Sequence, residues 1–331
     1  MVKITDVAKR AGVAKSTVSN VLTGKKFVSE ELKSKVLAAC AEMDFHPNFY
    51  ASGLSNKKTK IIALLLENKE ELVSQSFYKD LIISCVAEAS RLGYSLLVYY
   101  NADKEKLLNT LRQGIAPIDG AILMAPCVDD ERLKQMESNR THCVVIGRPD
   151  KTSGLSFVDV DNKQLVSTVA ARLAEEYGEV YLINSAKNMT ISQDRQTGFA
   201  EACRKFGIDA ESHILETISS GENEGFELTK KILRKSIAVI TANGRTAKGV
   251  YRAVSEAGLQ VGKDVGVFAL GRNQAHGVFE PKLSYAVQDY NLLGQKAVDM
   301  LIDQIENGAN DESMLVQSEI IFASSTQKSP K

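Results

Sequence analysis

Two kinds of hydrophobic pattern divide the chain. Over residues 5–45 apolar positions recur at helical spacing in three short stretches. Val7, Ala8 and Ala11 give the first its apolar face. Thr5 is its expected cap, with Asp6 favourable at the positive helix end. Gly12-Val13 makes the break. Val18, Val21 and Leu22 define a second helix over about 15–22, ended by Gly24. Ser29 opens a third, which runs through Val36, Leu37, Cys40 and Met43 to about Asp44, before Pro47. Two helices on a tight glycine turn, followed by a third, predict a helix-turn-helix.

From residue 60 onward the pattern changes. Continuous apolar runs of strand length lie at 61–66, 94–100, 121–124, 143–146, 180–183, 237–240 and 265–269. Helical stretches alternate with them, at 78–92, 165–177, 198–206, 247–257 and 292–305. Apolar runs separated by helices predict parallel sheets covered on both faces. About 270 residues of this exceed one usual sheet, so two lobes with a ligand cleft between their strand ends are expected. The predicted fold class is thus a small all-α helix-turn-helix head plus an α/β two-lobed body. The head covers 1–46, a linker 47–59 and the body 60–331. The first lobe takes about 60–160 and 290–320, the second about 161–289 and 321–331.

Composition narrows the function. At 331 residues, 44% hydrophobic and 25% charged, the chain is neither disordered nor fibrous. Its longest apolar run is far below the ~20 residues of a transmembrane helix, and its first residues lack a secretory h-region. Five cysteines, none in a CxxC, and four scattered histidines point to a reducing cytoplasm with no metal and no cofactor. The net charge of zero hides a split. Residues 1–60 carry 11 Lys and Arg against 5 Asp and Glu, a net +6, which leaves −6 on the body. On the second helix Lys15, Ser16, Thr17, Ser19 and Asn20 face outward. These donors and acceptors suit base edges and phosphates in a major groove. They would equally make a solvated face, and the basic head tips the reading to DNA.

No enzymatic motif stands in the body. No GxGxxG follows an apolar run, Ser19 occupies the glycine a P-loop before Lys25-Lys26 needs, and neither GxSxG nor HExxH occurs. Asp159 and Asp161 form a lone carboxylate pair. A binding body is expected rather than a catalytic one.

The runs Ile4-Thr5-Asp6-Val7-Ala8-Lys9-Arg10-Ala11-Gly12-Val13, Ser16-Thr17-Val18-Ser19-Asn20-Val21-Leu22, Val28-Ser29-Glu30 and Pro47-Asn48, with Ala51 to Leu54, resemble the head and hinge of the LacI/GalR family of bacterial transcription regulators. The resemblance implies a homodimer, with a tetramer left open, on roughly palindromic double-stranded DNA. It implies DNA contacts at Thr5, Lys15, Ser16, Thr17, Ser19, Asn20, Asn48, Ala51, Leu54 and Lys57. The segment 48–55 would fold on the operator as a hinge helix, with Leu54 wedged in the minor groove. Ala14 departs from the family's usual serine, which caps the second helix and touches a phosphate.

Weaker marks continue into the body: Phe77-Tyr78, Asp119-Gly120, Val158-Asp159-Val160-Asp161-Asn162, Arg195-Gln196-Thr197-Gly198-Phe199 and 283–288. They resemble the family's effector domain, which is similar to periplasmic sugar-binding proteins. The resemblance implies a small-molecule effector held by Arg195, with Gln75, Phe77, Asp161 and Asn243 lining its pocket. Gly244, Gly271 and Arg272 stand where the family usually carries carboxylates or amides. With Arg148 nearby, that favours an anionic effector, a sugar phosphate or carboxylate, over a neutral sugar. A degenerate pocket that answers a protein or phosphorylated co-regulator is the alternative, and a plain solute-binding protein a more distant one.

Overall fold

The computed structural model describes residues 2–23, 26–45, 58–67, 76–101, 105–106, 109, 113, 118–271, 279–308 and 313–328. The chain divides into two compact units, Met1–Lys60 and Ile61–Lys331.

Among its described residues the first unit holds three helices: α1 (Ile4–Ala11), α2 (Lys15–Thr23) and α3 (Glu30–Glu42). Their facing stripes bury Val7, Ala8, Val18, Val36, Ala39 and Cys40 as one small core. Gly12 ends α1 in the left-handed conformation at φ 66°, which a side chain would strain. Two expected caps are corrected. Helix α1 starts at Ile4, not beyond Thr5, and Asp6 caps it by accepting from the Lys3 backbone N–H at 2.8 Å. Ser29 sits at the N-cap of α3 but makes no side-chain cap bond. At the start of α2 the Ala14 carbonyl accepts from Thr17 and Val18. Its methyl side chain leaves the cap position without an acceptor. Gly24 and Pro47 lie outside the described residues.

The second unit follows the alternation of the sequence. In chain order it comprises β1 (Ile61–Glu67), α4 (Ser76–Arg91), β2 (Ser95–Asn101), β3 (Gly120–Met124), α5 (Glu131–Ser138), β4 (Cys143–Ile146), β5 (Ser156–Val160), α6 (Asn162–Tyr177), β6 (Val180–Asn184), α7 (Thr190–Phe206), β7 (Ile214–Glu216), α8 (Glu222–Ile232), β8 (Ile237–Thr241), α9 (Gly244–Glu256), β9 (Val265–Ala269), β10 (Ser284–Val287), α10 (Tyr290–Asn307), β11 (Ser313–Val316) and β12 (Glu319–Ile321). Among the described residues two six-stranded sheets result, ordered β11-β5-β4-β3-β1-β2 and β12-β10-β9-β8-β6-β7. Every pairing is parallel except β12, which runs against β10.

Strand β1 shows why the runs are continuous. Ile62 and Leu64 pack with α4 and α10, while Ala63 and Leu65 pack with Leu133 and Met136 of α5 on the other face. Both faces are covered, so both parities must be apolar. On α4 the buried positions Tyr78, Leu81, Cys85 and Ala89 keep helical spacing. The second sheet is covered likewise, by α6 and α7 on one face and α9 on the other.

The helix pairs touch closely. A Cβ on Gly198 of α7 would lie 2.1 Å from the Lys163 carbonyl of α6, and one on Gly249 of α9 would lie 2.0 Å from the Glu222 carbonyl of α8. The chain crosses between lobes three times: from β5 into α6, from β10 into α10, and from β11 into β12. No helix among the described residues is long and apolar enough to cross a membrane.

Candidate functional site

Parallel strands of both sheets end around one cavity of about 210 Å³. This is where ligands settle in open α/β sheets. Turns after β3 (Ala125, Pro126), β4 (Gly147), β6 (Ser185, Ala186), β8 (Ala242, Asn243) and β9 (Leu270, Gly271) form its rim. Much of the wall is apolar, with Leu81, Met124, Ile146, Ile191 and Leu293 among its members.

Two charged side chains among the described residues line it, Arg195 and Asp159. Arg195 projects from α7 and is 4% exposed. Its Nε lies 3.4 Å from Asn162 Oδ1 and its Nη1 3.4 Å from Ser185 Oγ. Burial pulls the guanidinium down to about 10, against the supporting fields of Tyr290 and Asp159. Asp159 is the penultimate residue of β5 and is 7% exposed. It accepts from the backbone N–H of Arg148 at 3.0 Å and of Val160 at 2.7 Å. Burial nevertheless pushes its carboxyl up to about 6. Opposite them, Tyr290 donates to Gln288, whose amide donates to the Leu270 carbonyl.

The sequence-predicted pocket residues separate here. Arg195 and Asn243 reach the cavity. Asn243 is also the cap of α9, accepting from the Thr246 N–H at 3.0 Å and donating to the Ser220 carbonyl at 3.3 Å. Asp161 is not among the lining residues. It caps α6 instead, accepting from the Gln164 N–H at 2.9 Å, while Asp159 and Asn162 on either side of it face the cavity. Arg148 is also absent from the lining. Its Nη1 turns to Asp194 Oδ1 at 3.4 Å, and its guanidinium carbon lies 5.9 Å from the Phe157 ring centroid. Gln75, Arg272 and the side chain of Phe77 lie outside the described residues. Sequence reasoning missed Asp159, Ser185, Gln288 and Tyr290. For Asp159 a signal existed: a carboxylate in the last residues of an otherwise apolar strand.

Several contacts tie the lobes together beside the cavity. Arg148 meets Asp194. The Thr190 hydroxyl donates to the Pro126 carbonyl at 3.0 Å. The Val128 N–H donates to the Asn188 carbonyl at 2.8 Å.

In the head, α2 turns Val18 fully inward. Lys15 and Ser16 are exposed, and Thr17, Ser19 and Asn20 are half-buried beside them. Thr5 is exposed on α1. Asn48, Ala51, Leu54 and Lys57 lie outside the described residues.

A helix-turn-helix head on a two-lobed α/β binding body is the architecture of a ligand-responsive DNA-binding regulator. Comparison with known proteins agrees. Residues 3–48 match the family described as bacterial regulatory proteins, lacI family, and residues 168–326 match the periplasmic binding protein-like domain. The chain is 29% identical to the HTH-type transcriptional regulator RegA of Clostridium saccharobutylicum over 98% of each protein. It is 27% identical to the ribose operon repressor of Escherichia coli K12, over 97% of this chain and 98% of that one. A lac repressor dimer bound to operator and the anti-inducer ONPF shares the fold at TM-score 0.83 and 22% identity, covering 98% of this chain and 99% of that one. The head matches the lacI family of bacterial regulatory proteins and the body a periplasmic binding protein-like domain, and the chain is a DNA-binding transcription regulator.

Proposed function

We propose that this regulator is a cytoplasmic repressor, without enzymatic activity, that binds a roughly palindromic operator as a homodimer. A small molecule in the cavity between its lobes changes its grip on DNA. The observation that carries this is Arg195: a nearly fully buried cation, facing a cavity, with two long hydrogen bonds. Burying a charge is costly unless something matches it; Asp159 offsets part of that charge, and a ligand group supplies close acceptors for the guanidinium.

On the DNA side, Lys15, Ser16 and Asn20 read bases from α2, and Thr5, Thr17 and Ser19 hold phosphates or neighbouring edges. Asn48, Ala51, Leu54 and Lys57 form the hinge contacts, with Leu54 as the wedge. Gln75, Phe77 and Arg272 belong to the effector side with Arg195 and Asn243. The relatives support the repressor reading, since one is named a ribose operon repressor and another, PurR of Proteus mirabilis, a transcriptional repressor.

Selection of bound duplexes from a randomised pool, followed by titration, tests the DNA reading. A palindromic consensus should emerge, with affinity falling steeply as salt rises because phosphate contacts release counterions. Lys15→Ala should weaken binding, and Leu54→Ala should weaken it while removing DNA bending. Arg195→Ala should keep operator binding yet lose its response to the small-molecule fraction of a cell extract. Salt-independent binding, or an unaltered response in Arg195→Ala, overturns the reading.

A further inference from the structure

The cavity wall indicates which effector chemistry fits. Its polar side chains among the described residues are mostly committed to the protein. Asn243 is held by Thr246 and Ser220. Gln288 and Tyr290 bond one another. The Ser219 hydroxyl donates to Glu224 and the Thr190 hydroxyl to Pro126. Asp159 accepts from two backbone N–H groups.

Arg195 differs. A guanidinium carries five N–H donors in a planar fork. Here the two protein acceptors it reaches both stand at 3.4 Å, beyond the roughly 2.7–3.2 Å of a good bond. Beyond these polar neighbours the cavity wall is largely apolar, with Leu81, Met124, Ile146, Ile191, Leu270 and Leu293.

Three ligand classes can be weighed against that wall. A neutral sugar brings many hydroxyls, and the committed wall leaves most of them without acceptors, so each buried one is penalised. A phosphate ester brings a charge of about −1.5 to −2. One guanidinium does not neutralise it, and the neighbouring Asp159 opposes it. A carboxylate brings a single charge, which Asp159 opposes less, and the flat two-oxygen edge that a guanidinium grips in pairs. Its body then meets the apolar wall. At about 210 Å³ the cavity is smaller than the roughly 300–1,000 Å³ of drug-sized sites, so that body is compact.

We propose that the effector is a small organic monocarboxylate with an apolar body, its carboxylate on Arg195 and its hydrocarbon part against Leu81, Met124 and Leu293. This rests on the effector reading above and deepens it.

The test is thermal shift and calorimetry on the full-length protein with matched probes. These are isovalerate, 2-oxoisovalerate, benzoate and phenylacetate, their carboxamides, ribose, ribose 5-phosphate and phenyl phosphate. At least one carboxylate should stabilise the protein, with its carboxamide weaker by roughly tenfold or more. Arg195→Gln should abolish the difference between the pair. Gly271→Val should block all binding, since a Cβ there meets nothing closer than 3.9 Å and so grows from the cavity wall without strain. Binding of ribose or of either phosphate with no carboxylate binding overturns the proposed class and leaves the effector reading standing. Silence from every probe overturns the class as well. The effector reading is then decided separately, by whether an extract shifts operator binding in the wild type and not in Gly271→Val.

Discussion

Arg148 Nη1, just beyond β4, stands 3.4 Å from Asp194 Oδ1, near the start of α7. The first belongs to one lobe and the second to the other, so separating the lobes must break the pair. Both side chains are mostly buried, and Arg148 lowers the pKa that burial raises at Asp194. Arg148→Ala should shift the lobes toward opening by about 1 kcal/mol, roughly fivefold. Hydrogen exchange at the Val128 amide, which bonds across the same gap, reads this. Unaltered exchange would show that the pair does not hold the lobes together.

Asp159 gives the body an unusual acid response. Its carboxyl stands near 6 in the folded protein against an ordinary 3.8, because of burial. The native state therefore holds the extra proton between about pH 4 and 6, so this residue's contribution falls as pH rises through that window. Two pH units of linkage amount to about 3 kcal/mol at most. Urea unfolding of wild type and Asp159→Asn should show the wild type gaining on the variant as pH drops from 6 to 4. A constant difference would sink the assignment.

The contact of α8 with α9 leaves no room for a methyl group. Gly249→Ala drives a Cβ into the Glu222 carbonyl and the Phe226 amide. We expect a loss of about 3 kcal/mol, at the upper end for an inserted methyl. Gly154, where a Cβ would meet nothing within 4 Å, should accept alanine within about 0.5 kcal/mol. Equal melting points for the two variants would contradict the packing described.

Ala14 offers a gain. Serine there would place a hydroxyl where the N–H of Thr17 lies, on the turn that the Ala14 carbonyl already closes. Ala14→Ser should stabilise the head by about 1 kcal/mol and raise the temperature of its melting transition. A lower or unchanged transition would mean that the hydroxyl does not reach the helix end.

The strands most legible in the sequence are those buried on both faces. β1, β3, β4, β6, β8 and β9 stand out because neither parity meets water. β5 was missed because Ser156 and Asp159 interrupt it, and β7, β11 and β12 because edge strands are short and partly exposed. Helix α7 begins at Thr190, eight residues ahead of the expected start. Its first two turns bury Thr190, Ser192 and Arg195, so the buried stripe is polar there and hydrophobic periodicity does not register it. The same limit explains Asp161. Resemblance located the acidic stretch, but which carboxylate faces the cavity depends on where β5 stops and α6 starts. That boundary sends Asp159 inward and makes Asp161 a cap.

Strands β11 and β12 are consecutive, yet they complete the edges of two different sheets. During synthesis the chain is made from its beginning at roughly 5–20 residues per second. Neither lobe can acquire its last strand until residues 313–321 have emerged, long after the head has had time to fold. A nascent or prematurely terminated regulator would thus carry a finished reader on an unfinished sensor. A protease cut ahead of Ser313 would likewise strip an edge from both lobes at once, making that short tail a shared point of failure for the whole sensing half.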